Sequence, residues 1–296
     1  ATGISTAVQV AGGGKSGSDD WHVNNIGNTG YTYILKEDGT VSSLGYNVNG
    51  ELGNGANTST TNVCTVQGLT NVAQIAGSKD GNFGAAVKKN GTIWTWGQNT
   101  YGQLGNGSSV NSMLPVQVKS ADGNSFLADI VQISAGYVHS MALKKDGTVL
   151  AWGRNDGGQL GNNNTSNKSL PVQVKGGASG SEYLTDVVQV TAGNWHSMAL
   201  KANGTVWTWG ENTYGELGIN DKTVTQSGAP VQVVLDNGSP LEDVIDISAN
   251  IYAAYALTRD GSVYAWGRNY YAALGQGTGS DYYQYYPIKV KSTDGN

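Results

Sequence analysis

With 44 glycines in 296 residues, 13% charged side chains and a net charge of −5, this composition suits a turn-dense folded chain and argues against disorder. Its 17 Lys and Arg are scattered rather than gathered into the basic footprint that nucleic acid requires. The single Cys64 excludes an intrachain disulfide, and no apolar run approaches the ~18 residues of a membrane-spanning helix.

The opening stretch, ATGISTAVQVAGG, carries no secretory signal, and a chain starting on Ala reads as a trimmed or mature fragment. An insert follows at about 12–28. It contains Asp19, Asp20, Trp21 and His22 without recognised metal-ligand spacing, so a solvated loop is expected there. Gly14-Lys15-Ser16 matches only the end of a phosphate-binding loop, because Gln9 stands where its first Gly belongs.

From there one sentence is written five times. Its forms are SSLGYNVNGELG from Ser42, WTWGQNTYGQLG from Trp94, LAWGRNDGGQLG from Leu150, WTWGENTYGELG from Trp207 and YAWGRNYYAALG from Tyr264. The Gly of the Trp-Gly position falls at 45, 97, 153, 210 and 267, a period that signals a propeller, solenoid or array. Six residues before each lies an Asx-Gly: Asp38-Gly39, Asn90-Gly91, Asp146-Gly147, Asn203-Gly204 and Asp260-Gly261. Such dipeptides predict two-residue hairpins with type I′ turns.

Each unit adds an alternating run before the hairpin and another after it, as in DVVQVTAG and APVQVV of the fourth. Four short antiparallel strands per unit predict an all-β propeller with one four-stranded sheet per blade. The approximate units are 1–68, 69–119, 120–175, 176–235 and 236–296, forming one domain. The final YPIKVKSTDGN matches residues 114–124, and the opening residues match 125–136. The chain thus holds whole repeats, either closing a ring whose last blade is shared by both termini or forming a fragment of a larger propeller.

These motifs resemble the repeat of the regulator of chromosome condensation family of β-propellers. The full Trp-Gly-x-Asn to Leu-Gly string stands at Trp96–Gly105, Trp152–Gly161 and Trp209–Gly218. The founding member exchanges nucleotide on a small GTPase and binds nucleosomes. This acidic chain has no basic tail and no visible exchange wedge, so guanine-nucleotide exchange is disfavoured. Secreted bacterial relatives include inhibitors of β-lactamases and surface modules, and the Cys-poor, Asn/Thr/Ser/Gly-rich style resembles that bacterial type.

No nucleophile motif, recurring carboxylate pair or cofactor loop is present, so the chain is not expected to be an enzyme and no cofactor or metal is expected. His139 and His196 share a position held elsewhere by Tyr31, Phe83 and Ala253, which marks packing or hydrogen bonding rather than metal ligation. Cys64 lies where a strand residue is expected and reads as a small buried side chain. Non-repeating aromatics remain as candidate recognition residues: Trp21, Phe83, Tyr137, Trp195, Tyr252, Tyr271 and Tyr283. Equivalent loops on one face would ring a central channel with the first five, either as a binding surface or as a plug. Along DYYQYYP, alternation sends half of the tyrosines into blade packing. The resulting expectation is a monomeric bacterial extracellular or surface module that recognises a protein, with carbohydrate binding as the alternative.

Overall fold

A computed structural model describes residues 6–14, 30–177, 182–277 and 282–291. Its twenty strands form five antiparallel sheets of four, the blades of a β-propeller fold. The first sheet comprises Ala7–Gly13, Tyr31–Lys36, Val41–Gly45 and Thr60–Thr65, and the second Val72–Gly77, Phe83–Lys88, Ile93–Gly97 and Ser112–Gln117. Ile130–Ala135, His139–Lys144, Val149–Gly153 and Lys168–Gln173 make the third. The fourth has Val187–Ala192, His196–Lys201, Val206–Glu211 and Gln226–Gln232, and the fifth Val244–Ala249, Ala253–Thr258, Val263–Arg268 and Tyr283–Lys289. Every sheet uses four strands consecutive in sequence, so among the described residues no sheet is shared by the two ends. Of the two expected arrangements, a blade shared by both termini is not seen among the described residues.

The chain divides into two compact units. The first holds Ala1–Lys144, Trp152–Arg154 and Asn167–Pro171; the second holds Lys145–Ala151, Asn155–Ser166 and Val172–Asn296.

The hairpins differ from the sequence expectation. Lys36 N–H bonds Thr40 O and Gly39 N–H bonds Lys36 O, closing a three-residue loop in which Gly39 takes a positive φ and Asp38 does not. This is a type I turn ending in a glycine bulge rather than a type I′ turn. The reason is local: Asp38 Oδ1 accepts from both the backbone N–H and the hydroxyl of Thr40, which ties the loop around the residue after Gly39. Asn90 with Thr92, Asp146 with Thr148, Asn203 with Thr205 and Asp260 with Ser262 repeat the device.

The Asn of each Trp-Gly-x-Asn is buried and folds the turn that follows. Asn47, Asn99, Asn155, Asn212 and Asn269 each accept the N–H of the Leu five residues on, at 2.8 to 3.0 Å. The amide Nδ2 of Asn99 then satisfies the carbonyls of Ser108 and Val110. A hydrophobic residue here would leave those buried backbone groups without partners.

Sheets are joined by tryptophan. Trp96 Nε1 donates to Glu51 O and Trp152 Nε1 to Gln103 O within the first unit, both at 2.8 Å. In the second unit Trp209 reaches Gln159 O and Trp266 reaches Glu216 O, both at 2.9 Å. All four indoles are fully buried. In four of the five copies the Gly ending Leu-Gly lies beneath an indole: a Cβ on Gly161, whose φ is +64°, would sit 2.8 Å from Trp209 Nε1. Only glycine tolerates both the conformation and the contact.

A glutamine bridge links the first strands of neighbouring sheets. Gln9 accepts from Ile75 N–H and donates to Ile75 O, and Gln74 does the same with Ile133. Gln189 repeats it with Ile247 in the second unit. The apolar layers complete each joint. Met198, Leu200 and Val206 of the fourth sheet pack on Val244, Ile247, Ala254, Ala256 and Trp266 of the fifth. Tyr33, Leu35 and Val41 of the first pack on Val72, Ile75, Ala86 and Trp96 of the second.

Trp209→Ala is expected to cost about 3–5 kcal/mol, from its cavity and the lost hydrogen bond. Trp207→Ala, at a half-buried position of the same strand, should cost clearly less. Urea unfolding of the two variants checks the difference.

Candidate functional site

The turn after each Trp-Gly also decides what meets at the edge between sheets. Its residue just before the second glycine lies beside the residue after the next sheet's Trp-Gly. In the first unit the Arg154 guanidinium lies 5.0 Å from the Tyr101 ring, and Asn111 Nδ2 donates to Asn49 at 3.3 Å. In the second unit Gly157 leaves room for Glu211, whose Cγ would lie 2.7 Å from an added Cβ. The last such pair, Tyr214 with Arg268, grows into a cluster.

Tyr214 meets Tyr252 with ring centroids 5.1 Å apart at 77°, and Tyr283 at 5.0 Å and 62°. The Arg268 guanidinium stands 4.5 Å from Tyr270, 5.1 Å from Tyr214 and 5.7 Å from Tyr252. Tyr270 and Tyr271 lie 4.1 Å apart, and the Tyr270 hydroxyl donates to that of Tyr271. Five tyrosines and one arginine thus form one continuous patch on the second unit. Tyr271 is 69% exposed and Tyr283 45%. The backbone helps to present them: Tyr271 and Ala272 both hold positive φ, of 51° and 60°, in a short 3₁₀ turn. Neither residue type favours that region, so the turn carries strain where the aromatics are most exposed.

The aromatics expected from sequence fare differently. Tyr252, Tyr271 and Tyr283 are brought together in this patch. Phe83 is fully buried against Leu104 and Ala135, with Ala76 and Val116 beside it, and is corrected from surface to core. It opens the second strand of its sheet, opposite Gly97, where the side chain turns inward as His196 does opposite Gly210. Tyr137 and Trp195 are half-buried. The Tyr137 carbonyl accepts from the Ser78 hydroxyl, and the Trp195 carbonyl from the Glu211 N–H. Trp21 and His22 lie outside the described residues.

Arg268 and Tyr214 were missed as recognition residues because they sit at repeating positions. The signal was available: a Tyr before the second glycine in one copy and an Arg after Trp-Gly in the next, a combination found at Tyr101/Arg154 and again at Tyr214/Arg268.

Among the described residues no group of three or more His, Cys, Asp or Glu is placed to hold a metal ion. His139 is fully buried, and that burial, with the Lys79 charge beside it, holds its pKa down at about 3. Cys64 is half-buried and donates to Ser43 O. Beneath the tyrosine patch lies the buried carboxyl of Glu216, which accepts the Tyr214 N–H. Burial pushes its pKa up to about 8. Gln103 and Gln159 hold the same position in other copies and accept the equivalent N–H of Tyr101 and Gly157.

Tandem four-stranded sheets, keyed together by tryptophan, glycine and asparagine at fixed spacing, define a repeat β-propeller. The regulator of chromosome condensation (RCC1) repeat matches residues 90–143, 146–200, 203–250 and 260–296, and the chain belongs to that family. It is 31% identical over 215 residues to the mouse E3 ubiquitin-protein ligase HERC2, covering 72% of this chain and 4% of the ligase. It is 27% identical to the ultraviolet-B receptor UVR8 of Arabidopsis thaliana, covering 87% of this chain and 56% of the receptor. The chain therefore spans a small part of the first relative and about half of the second. Among solved structures, human WBSCR16 superposes with a TM-score of 0.73 at 22% identity, over 89% of this chain and 65% of that one. Prp20p of Saccharomyces cerevisiae gives 0.58 at 18%, over 89% and 75%. No helix among the described residues is long and apolar enough to cross a membrane.

Because folding raises the Glu216 pKa from 4.5, the folded state holds that proton more tightly than the unfolded chain. The stability this provides is complete below pH 4.5 and is lost as pH rises to about 8. Glu216→Gln should flatten the decline over that window and make the protein more stable at its alkaline end. Urea midpoints across a pH series measure it.

Proposed function

We propose that this chain is a non-catalytic propeller scaffold that recognises a protein partner through the Tyr214, Tyr252, Tyr270, Tyr271, Tyr283 and Arg268 patch. The observation that carries the reading is the patch itself, in which exposed tyrosines are anchored to a guanidinium and to one another. Tyrosine and arginine are enriched among the residues that dominate binding energy at protein interfaces, tyrosine because its large ring has few rotamers to freeze and arginine because its planar guanidinium stacks and hydrogen-bonds. Each cation–π contact here adds about 0.5–1 kcal/mol of rigidity, so little order remains to be imposed on binding.

Carbohydrate binding is the second reading. Sugars stack on flat, open ring faces, whereas these rings meet at 47°, 62° and 77° and turn edges toward one another. That geometry favours side chains that interdigitate. Guanine-nucleotide exchange gains nothing here: Prp20p is described as binding Gsp1p and histones, and its likeness carries the fold rather than those partners. The bacterial and extracellular parts of the reading rest on the single Cys and the Gly, Asn, Ser and Thr content. The relatives reported above are eukaryotic and lend that part no support.

A Tyr271→Ser/Tyr283→Ser variant, compared with wild type in parallel protein capture and glycan-array binding, tests the proposal. The expected outcome is loss of a captured protein with the melting temperature unchanged. A glycan bound by wild type and lost in the variant would put the second reading first, and capture that ignores the substitutions would sink the site assignment. Phe83→Ala, by contrast, should destabilise the fold by about 3–5 kcal/mol, as a core truncation does.

A further inference from the structure

Inside each unit the step from one sheet to the next uses the same parts. On the outgoing side a Val or Ile opening the third strand is fully covered: Val41, Ile93, Val149 and Val206 are all at 0% exposure. The hairpin glycine touches the next sheet, Gly39 against Asn71 and Gly204 against Asp243. The residue two beyond Leu-Gly donates its N–H to the next sheet's fourth strand: Gly55 to Met113 O, Gly107 to Ser169 O, Asn163 to Gly228 O and Asn220 to Tyr285 O. On the incoming side Ile75, Ile133, Val190 and Ile247 are at most 4% exposed.

The fifth sheet carries these outgoing parts uncovered. Val263 is 38% exposed, and Gly261 and Gly277 each have nothing within 4 Å of where a Cβ would stand. The first sheet, in the other unit, carries the incoming parts uncovered. Val10, the counterpart of Ile75, is 64% exposed. Where Met113 or Ser169 receives the preceding sheet, the equivalent Thr60 and Thr61 instead line an open cavity of about 500 Å³ with Gly45, Tyr46 and Ser59.

We propose that the outgoing face of the fifth sheet docks onto the incoming face of the first sheet in a second copy of this chain. Val263 then covers Val10 of the second copy, and Gly277 N–H meets the carbonyl of its Thr61. The occupant follows from continuity: every other outgoing face in the described structure is met by an incoming face of this same pattern. Three departures from the repeat fall at this contact. The first sheet has Leu44 where other sheets bring a tryptophan N–H, so the fifth sheet's Ala273 O, which accepts the Tyr255 hydroxyl as Glu51 O accepts that of Tyr33, receives no indole in this contact. Ala272 replaces the glycine on which, elsewhere, an added Cβ would stand within 2.7 Å of the next strand's backbone, and Asp246 lacks the amide donor of the glutamine bridge. Both make this joint looser than the internal ones. The contact is heterologous, with two different faces, so it builds dimers and then longer assemblies.

Sedimentation velocity across a concentration series tests this with wild type, Val10→Glu and Val263→Glu, each checked for folding by circular dichroism. Wild type should grow with concentration, and each variant alone should stay monomeric. An equimolar mixture of the two variants should stop at a heterodimer, because one intact face of each kind remains. Leu44→Trp/Ala272→Gly should tighten wild-type association about tenfold or more. If a valine variant unfolds, Thr61→Glu reports on the same incoming face. A wild type that is monomeric at every concentration, or a mixture that gives no heterodimer, overturns the proposal.

Discussion

The hydrogen bond from an indole N–H to the carbonyl of the preceding sheet's Glu or Gln is the joint on which this molecule depends. It fixes three things together. The indole must be fully buried, the residue beneath it must be glycine, and the Glu or Gln must hold its own turn so that its carbonyl points outward. Trp209 over Gly161, bonded to Gln159 O, shows all three in one place. Apolar area alone would let the sheets slide. A single buried donor with a single acceptor sets their register, because leaving either group without a partner costs about 1–3 kcal/mol.

That joint also decides where variation is allowed. With Trp, Asn, Leu and both glycines committed to the joint and its turn, the residue after Trp-Gly and the residue before the second glycine are left to vary. They meet across the edge between sheets, so each pair is a local choice: Tyr101 with Arg154, Gly157 with Glu211, Tyr214 with Arg268. The last pair is extended by aromatics from the fourth strand and the loop before the second strand of the fifth sheet. The recognition patch is thus the ordinary edge pair with Tyr252, Tyr270, Tyr271 and Tyr283 added to it.

The architecture was legible in the sequence because its determinants are periodic and short-range. Trp-Gly, Asn and Leu-Gly recur at fixed offsets, and each acts within its own turn or on the adjacent sheet. The hairpin type was misread because Asx-Gly is shared by two turn families. The Thr or Ser after each Gly, whose hydroxyl donates to the Asx side-chain oxygen, distinguishes them. Phe83 was misplaced for a different reason: aromatic identity drew attention, while its offset from Gly97 already put it on the inward-facing position of His139 and His196. Arg268 was invisible to a search for non-repeating residues, since its role arises from a repeating position with unusual company.

The same logic gives meaning to the places where the template fails. In a repeat protein a substitution at a joint position is tolerated only if the joint there is absent or rebuilt. The first and fifth sheets both break the template at this joint: Leu44 brings no indole donor on one side, and on the other Ala272 stands where the internal joints have a glycine. Here the indole is missing while the apolar residues Val10 and Val263, which still gain from being covered, are kept. Burying such a pair stabilises by about 25 cal/mol per Å² of apolar surface, with no indole to align. A contact of that kind forms and releases without disturbing the sheets on either side of it, whereas the indole joints inside each unit hold for as long as the fold does.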